Sequence, residues 1–204
     1  MKRVLVCVVA VVVCQNPAMG QGRAIDLGVS VSDGRLRDFY LAVSDHYHVP
    51  PDQVVELHDR YRCQDDELPV AYFLAARAHV APTAVISLRA QRMSWLDIAF
   101  HFRLTPDIFF VPVRTEPVGP PYGNAYGYYR KYAPSREWKR IPLTDQDVVA
   151  LVNLRFLAEH HGVSPDTVMA MRGRQASFAI INDEIRNGKA AKANQKGKSH
   201  AKKK

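Results

Sequence analysis

The residues best suited to chemistry lie between residues 112 and 142, where aromatic and basic side chains are interleaved. This segment holds six prolines, three glycines and five of the nine tyrosines of the chain. Tyrosine rings and neighbouring cations stack on sugars, nucleobases or peptide prolines. We therefore expect a binding surface here, or, as the alternative, a compact loop whose tyrosines pack against the body. The candidate binding residues are Tyr122, Tyr126, Tyr128, Tyr129, Arg130, Lys131, Tyr132 and Trp138.

A second group of candidate residues is the lysine-rich C-terminus. Residues 189–204 contain seven lysines, no acidic residue and no apolar side chain larger than alanine. Such a segment buries too little surface to offset its ordering entropy, which predicts a disordered tail. A cationic tail can hold a protein on a polyanion without a folded site; the alternative is a solubilising tail with no partner. Its candidate binding residues include Lys189, Lys192, Lys196 and Lys198.

Catalytic and metal-binding patterns are weak. The sequence has no Gly-x-Ser-x-Gly, no His-Glu-x-x-His and no phosphate-binding glycine loop. Asp65-Asp66-Glu67 precedes a helical stretch, where helix capping explains it. Histidines at equivalent places of stacked helices, such as His46, His101 and His160, are expected roughly 10 Å apart, too far to share one ion. We expect no catalytic residue, metal or cofactor; the alternative is an enzyme whose site lies under residues 112–142.

The elements that must position these residues are short helices joined by one recurring phrase. Each copy combines Val or Leu, a proline two residues later and a second apolar pair, so it ends one helix and opens another. Four copies predict an all-α domain over 34–188, built from helix pairs in a solenoid-like arrangement with residues 112–142 as an inserted loop. An irregular bundle is the alternative. The copies begin at Val49, Val80, Leu104 and Val163.

The last copy also resembles a DNA-binding helix-turn-helix. Ala158, Gly162 and Val168 occupy the small, turn and apolar positions of that motif. However, the would-be recognition helix offers only two arginines, Arg172 and Arg174, and residues 21–188 carry 19 basic and 20 acidic residues. That balance does not suit phosphate-driven affinity, so we expect no specific DNA binding. Nucleic-acid binding remains the second alternative if the N-terminus is not an export signal.

The N-terminus predicts export. Met1-Lys2-Arg3 is followed by ten apolar residues, 4–13, and by small residues at Ala18 and Gly20, which is the order of a secretory signal peptide cleaved after Gly20. Ten apolar residues are too few to span a bilayer, so no transmembrane segment is expected in the mature chain. Residues 21–33 are predicted to be a linker. Cys63 is then the one remaining cysteine, either buried or paired between chains.

The stretch Gly119-Pro-Pro-Tyr-Gly-Asn-Ala-Tyr-Gly-Tyr-Tyr, the unit at 153–166 and the lysine-rich tail together resemble a family of uncharacterised exported bacterial proteins. The resemblance covers roughly residues 36–204. It implies an exported bacterial setting and brings no activity with it. The sequence thus predicts a non-enzymatic interaction module, periplasmic or extracellular, whose partner is a protein or an anionic envelope polymer.

Overall fold

The computed structural model describes residues 33–117, 119–132, 137–173 and 177–188, and every regular element in these ranges is helical. The predicted all-α class is therefore confirmed. The predicted signal peptide, the linker before Asp33 and the lysine-rich tail lie outside the described residues. No helix in the described ranges has the length and apolar character needed to cross a bilayer.

Nine α-helices follow one another in the described ranges. They are α1 Gly34–Tyr47, α2 Pro51–Tyr61, α3 Leu68–Ala78, α4 Pro82–Ala90, α5 Trp95–His101, α6 Gly123–Tyr132, α7 Asp145–His161, α8 Pro165–Arg172 and α9 178–188. Three short 3-10 turns connect them, at Asp65–Glu67, Pro106–Phe109 and Trp138–Arg140. The core forms around α3, which is buried over eight consecutive residues, and α7. α3 contacts α1, α4 and α7, while α7 also contacts α5 and α8.

The four copies of the phrase form the same corner. In each, the residue before the Val or Leu is left-handed, and the next backbone N–H reaches back five residues at 2.9–3.0 Å to close the helix. Proline then occupies the first turn of the following element, where its missing N–H is harmless. The first, second and fourth copies open α2, α4 and α8, whereas the third copy opens only the turn Pro106–Phe109. The left-handed residues are His48, His79, Arg103 and Gly162.

Three of these corners carry a side chain where glycine is the preferred residue. His79 is exposed and has φ 55°, and a left-handed conformation costs a non-glycine residue about 1–2 kcal/mol. A glycine would avoid this cost, but its greater freedom in the unfolded chain offsets about 0.5–1 kcal/mol of the stabilisation. We expect His79→Gly to raise the free energy of unfolding by about 0.5–1 kcal/mol in urea titration. Gly162→Ala, with φ 59°, should act in the opposite direction; a destabilised His79→Gly protein would contradict the corner geometry.

The inserted segment differs from the predicted loop. It contains α6, a helix of 10 residues, Gly123–Tyr132. The helix forms because the prolines of the segment, at 112, 117, 120, 121, 134 and 142, all lie outside 123–132. The glycines inside it, Gly123 and Gly127, weaken a helix without ending it. The density of proline and glycine over the whole segment was thus a poor guide to its middle.

Candidate functional site

The structure divides the predicted aromatic strip into a buried and an exposed part. Tyr122, Tyr126 and Tyr129 are 4%, 5% and 2% exposed. Tyr126 and Tyr129 lie on the face of α6 that packs on the core, and Tyr122, immediately before the helix, continues the same spacing of four and three residues. Tyr126 Oη donates a hydrogen bond to the Val111 carbonyl at 2.5 Å. These three tyrosines therefore pack inward, which corrects the expectation that they lie on a binding surface. Their spacing indicates burial on one face of a helix, but only once this part of the segment is recognised as helical.

The other candidate residues of this segment remain at the surface. Arg130 and Lys131 are exposed, and Tyr128, Tyr132 and Trp138 are half-buried. Lys131 Nζ lies 5.1 Å and Arg140 Cζ 5.7 Å from the centroid of the Tyr132 ring, so two cations contact one aromatic ring. We call this surface the α6 face. It consists of Arg130, Lys131, Tyr132, Trp138, Lys139 and Arg140.

The charges of the α6 face are only partly compensated. Arg130 pairs with Glu116, and Arg140 pairs with Glu137 at 2.9 Å. Within the described ranges, no carboxylate forms an ion pair with Lys131 or Lys139. Phe110, 38% exposed, extends the apolar part of the surface because its ring packs on Tyr129 with centroids 5.0 Å apart. The arrangement therefore presents net positive charge beside aromatic surface.

The helix-turn-helix resemblance corresponds to α7, the corner at Gly162 and α8. The first turn of α8 is covered by the inserted segment, because the Asp166 carboxylate accepts hydrogen bonds from the backbone N–H groups of Arg114 at 3.1 Å and Thr115 at 2.7 Å. These two hydrogen bonds lower the pKa of Asp166 and keep a negative charge at this end of α8. A recognition helix needs its N-terminal residues free to enter a groove. The geometry thus adds an argument against DNA binding.

Two histidines lie closer than expected. His46 of α1 and His160 of α7 have ring centroids 6.2 Å apart, not roughly 10 Å, because these two helices pack directly on each other. His46 also packs against Phe156, and burial lowers the pKa of its imidazole. No group of three or more His, Cys, Asp or Glu side chains in the described part of the chain is placed to hold a metal ion.

A polar cleft opens between the turn Asp65–Glu67 and the helices α4, α7, α8 and α9, with a volume of about 510 Å³. Its floor is a network of charged hydrogen bonds. Arg89 donates to Glu67 Oε1 from Nη2 at 2.6 Å and to Asp145 Oδ2 from Nη1 at 2.6 Å. Trp95 donates to the same two carboxylates, from Nε1 at 3.1 Å and from its backbone N–H at 2.8 Å. The network ties α4, α5 and α7 together.

The wall of the polar cleft carries an unusual carboxyl group. Asp66 accepts a hydrogen bond from the backbone N–H of Phe178 and lies near Arg172, yet burial raises its pKa to about 6. Its Oδ1 atom is buried and has no hydrogen-bond partner within the described ranges. Sequence reasoning explained this acidic triplet as a helix cap. The capping explanation holds for Glu67, whose carboxylate also accepts a hydrogen bond from the Gln64 backbone N–H. No local pattern in the sequence indicates its long-range partners, Arg89 and Trp95.

The cavity beneath the inserted segment is smaller, about 260 Å³. Its lining includes the carboxylates of Glu116 and Asp166 and no histidine from the described residues. Both carboxylates are engaged, with Arg130 and with the 114–115 backbone respectively. The combination of a histidine with carboxylates, which would favour the enzyme alternative, is not present among the described residues that line this cavity.

Comparison of the chain with protein-family models, curated proteins and solved structures found no match.

Proposed function

We propose that the protein is an exported, non-enzymatic binding module that holds an anionic partner of the bacterial envelope on the α6 face. The observation that carries this proposal is the Tyr132 ring with Lys131 and Arg140 against it. An aromatic ring that holds cations in place presents them with little loss of side-chain entropy. A sulfate, phosphate or carboxylate group can then bind Lys131 while the carbon skeleton of the ligand rests on Trp138 or Phe110.

The distribution of charge along the chain supports an anionic partner. Residues 112–142 hold six basic and two acidic residues, whereas the rest of 21–188 holds 13 basic and 18 acidic residues. The inserted segment is therefore positive on an otherwise negative body. Such an asymmetry steers an anion to one face and repels it from the others. An acidic protein surface is the alternative partner, but the charge pattern alone favours a polymer of repeated anionic groups.

The same proposal includes the export signal and the lysine-rich tail. After cleavage near Gly20 the module acts in the periplasm or outside the cell, where the anionic partners are lipid phosphates, lipopolysaccharide and acidic cell-wall polymers. Lys189, Lys192, Lys196 and Lys198 add nonspecific attraction through counterion release. The tail thus increases retention, and the α6 face determines which side of the body meets the partner.

We also propose that the helical body is a repeat of helix pairs. Support comes from the four corners, which share a left-handed residue, a five-residue-back hydrogen bond and a following proline. In that arrangement the inserted segment replaces the second helix of the third pair, where only Pro106–Phe109 forms a turn. A solenoid of pairs provides an extended outer surface on which an insertion can protrude.

The test is retention of the mature chain on immobilised heparin, a soluble polyanion, at increasing salt. Charge reversal at Lys131→Glu with Arg140→Glu should weaken binding about tenfold at 100 mM salt and reduce the salt slope by about 2, because two anion contacts are lost. Tyr132→Ala should produce a smaller loss. A chain ending at Gly188 measures the contribution of the tail separately.

The matched control is the same charge change elsewhere, Arg37→Glu with Arg60→Glu, on the exposed surfaces of α1 and α2. It should retain nearly full binding. An equal loss in the control would show that only net charge matters, and a wild-type chain that passes through the column at low salt would reject the proposal outright.

A further inference from the structure

The two aromatic side chains of the α6 face are not equally open to a partner. Tyr132 already carries two cations, because Lys131 Nζ and Arg140 Cζ lie over its ring at 5.1 and 5.7 Å. Trp138 is half-buried, and no cation of the described ranges lies over its indole ring. Trp138 therefore has the ring on this face that can still accept a stacking partner.

The backbone that carries Trp138 is held in place. Trp138 opens a 3-10 turn, in which the Arg140 N–H donates to the Glu137 carbonyl at 2.9 Å. The Ile141 N–H then donates to the Trp138 carbonyl at 3.1 Å. The indole rests on the Tyr129 ring, with centroids 6.3 Å apart, so the turn and this contact restrict how far it can move. A ligand that stacks on a ring already held in place loses little conformational entropy.

Exposed cations lie beside this ring. Lys139 and Arg140 follow Trp138 directly in the chain, and both are exposed. Lys131 lies nearby, because it contacts the same Tyr132 ring as Arg140. Neither Lys131 nor Lys139 forms an ion pair with a carboxylate of the described residues. This combination of an open ring and cations suits a ligand that has an apolar ring face and anionic substituents.

We propose that the partner is an acidic glycan and that Trp138 is the residue on which one of its sugar rings stacks; the inference rests on the proposed function of the α6 face. The C–H groups on one side of a sugar ring carry small positive partial charges, which suit the negative face of an indole. Lys131 and Lys139 bind the sulfate, phosphate or carboxylate groups of the same glycan. The site thus distinguishes an anionic polymer built of sugars from one of equal charge that lacks them.

A lipid bilayer fits this surface less well than a glycan. A helix that lies on a bilayer must bury its apolar side at the boundary of the acyl chains. The apolar side of α6 is already used, because Tyr126 and Tyr129 are buried in the core, while Arg130 and Lys131 are exposed. Phe110 adds one exposed large apolar side chain, and a single phenyl ring buries too little surface for stable anchoring.

Single-stranded nucleic acid also stacks on aromatic side chains. Its binding sites offer a ring to each of several successive bases along a cationic groove. Of the residues that define the α6 face, Trp138 has an open ring and Tyr132 carries two cations. One open ring with cations beside it therefore favours a single stacked sugar over a series of stacked bases.

Tryptophan fluorescence tests the proposal without any variant. The chain has two tryptophans; Trp95 is fully buried and Trp138 is half-buried, so a change in emission on binding reports Trp138. The full mature chain is titrated with dextran sulfate and, at equal sulfate concentration, with poly(vinyl sulfate), which carries the same anionic group on a backbone without sugars. Both polymers should bind through the lysines. We expect dextran sulfate to shift the emission to shorter wavelength and poly(vinyl sulfate) to leave it unchanged.

Variants measure how much the ring contributes to affinity. Trp138→Ala should weaken binding of dextran sulfate about fivefold, the size expected for one lost stacking contact, and leave the affinity for poly(vinyl sulfate) unchanged. Trp138→Phe should keep most of the affinity for dextran sulfate because it keeps a ring. The control Phe100→Ala removes an exposed ring from α5, outside the α6 face, and should change neither affinity.

The outcomes separate this proposal from the proposed function. If both polymers bind but dextran sulfate leaves the emission unchanged, or if Trp138→Ala weakens both polymers equally, the α6 face recognises charge alone and the glycan site is overturned. If neither polymer binds at low salt, the proposed function fails together with this inference. A larger emission change with phosphatidylglycerol vesicles or single-stranded oligothymidylate than with dextran sulfate would overturn the glycan in favour of lipid or nucleic acid.

Discussion

Replacing Glu67 by alanine is expected to lower the free energy of unfolding by about 3–5 kcal/mol, because it removes one partner from a buried network of charged hydrogen bonds. Glu67 is 8% exposed and accepts hydrogen bonds from Arg89 and Trp95. Without it, Arg89 keeps only one carboxylate and the indole N–H of Trp95, in a fully buried side chain, loses its acceptor. An unsatisfied buried donor alone costs about 1–3 kcal/mol.

Urea unfolding followed by circular dichroism measures this effect. Glu67→Gln should fall between wild type and alanine, since the amide keeps an acceptor but loses the charge. The matched control is Glu56→Ala, which removes an exposed ion pair with Arg60 at 3.3 Å and should change stability by less than about 1 kcal/mol. If Glu67→Ala proved as stable as this control, the network would not stabilise the fold, and its role would be limited to the specificity of packing.

Tyr129→Ala is expected to lower the free energy of unfolding by about 3–5 kcal/mol, the range for deleting a buried aromatic ring. The Tyr129 ring is 2% exposed, packs against Phe110 and Trp138, and donates from Oη to the Pro106 carbonyl at 2.7 Å. Removing it leaves a cavity between α6 and the turn Pro106–Phe109. Tyr129→Phe keeps the ring and loses only the hydrogen bond, so we expect about 1 kcal/mol for that variant.

The same urea measurement should separate Tyr129 from its neighbour on the α6 face. Tyr132 is half-buried, and we expect Tyr132→Ala to cost less than about 1.5 kcal/mol while reducing retention on heparin. Tyr129→Ala should have the larger effect on the free energy of unfolding and the smaller effect on retention on heparin. A stable Tyr129→Ala protein that binds heparin poorly would mean that the ring contacts a partner, as the sequence alone suggested, and that α6 does not pack on the core through this ring.

The sequence was most informative where structure is determined locally. Proline in the first turn and an apolar residue two positions earlier act within one helix corner, so the corners at Val49, Val80, Leu104 and Val163 could be read directly. The helical class followed from the same pattern. The arrangement of the helices in space depends on which faces pack together, and His46 beside His160 shows that equivalent sequence positions did not predict distances.

The candidate sites depend on partners far along the chain. Glu67 meets Arg89 and Trp95 only after folding, and nothing in the spacing of an acidic triplet reveals that. For the tyrosines the information was present but ambiguous, because the positions 122, 126 and 129 suit one face of a helix, while the surrounding prolines and glycines favour a loop. Packing decided between the two, and packing is a property of the whole domain.

Cys63 has a consequence for how copies of this protein can become covalently linked. The thiol lies between α2 and the turn Asp65–Glu67, is 9% exposed, and burial, with a smaller contribution from the Glu67 carboxylate, raises its pKa to about 12. Only a thiolate attacks a disulfide or reacts readily with an oxidant. In the folded chain, thiolate is therefore scarce and shielded at neutral pH. An intermolecular disulfide through this residue requires the junction to open first, so in an oxidising compartment a cross-linked dimer would mark molecules that have lost local structure.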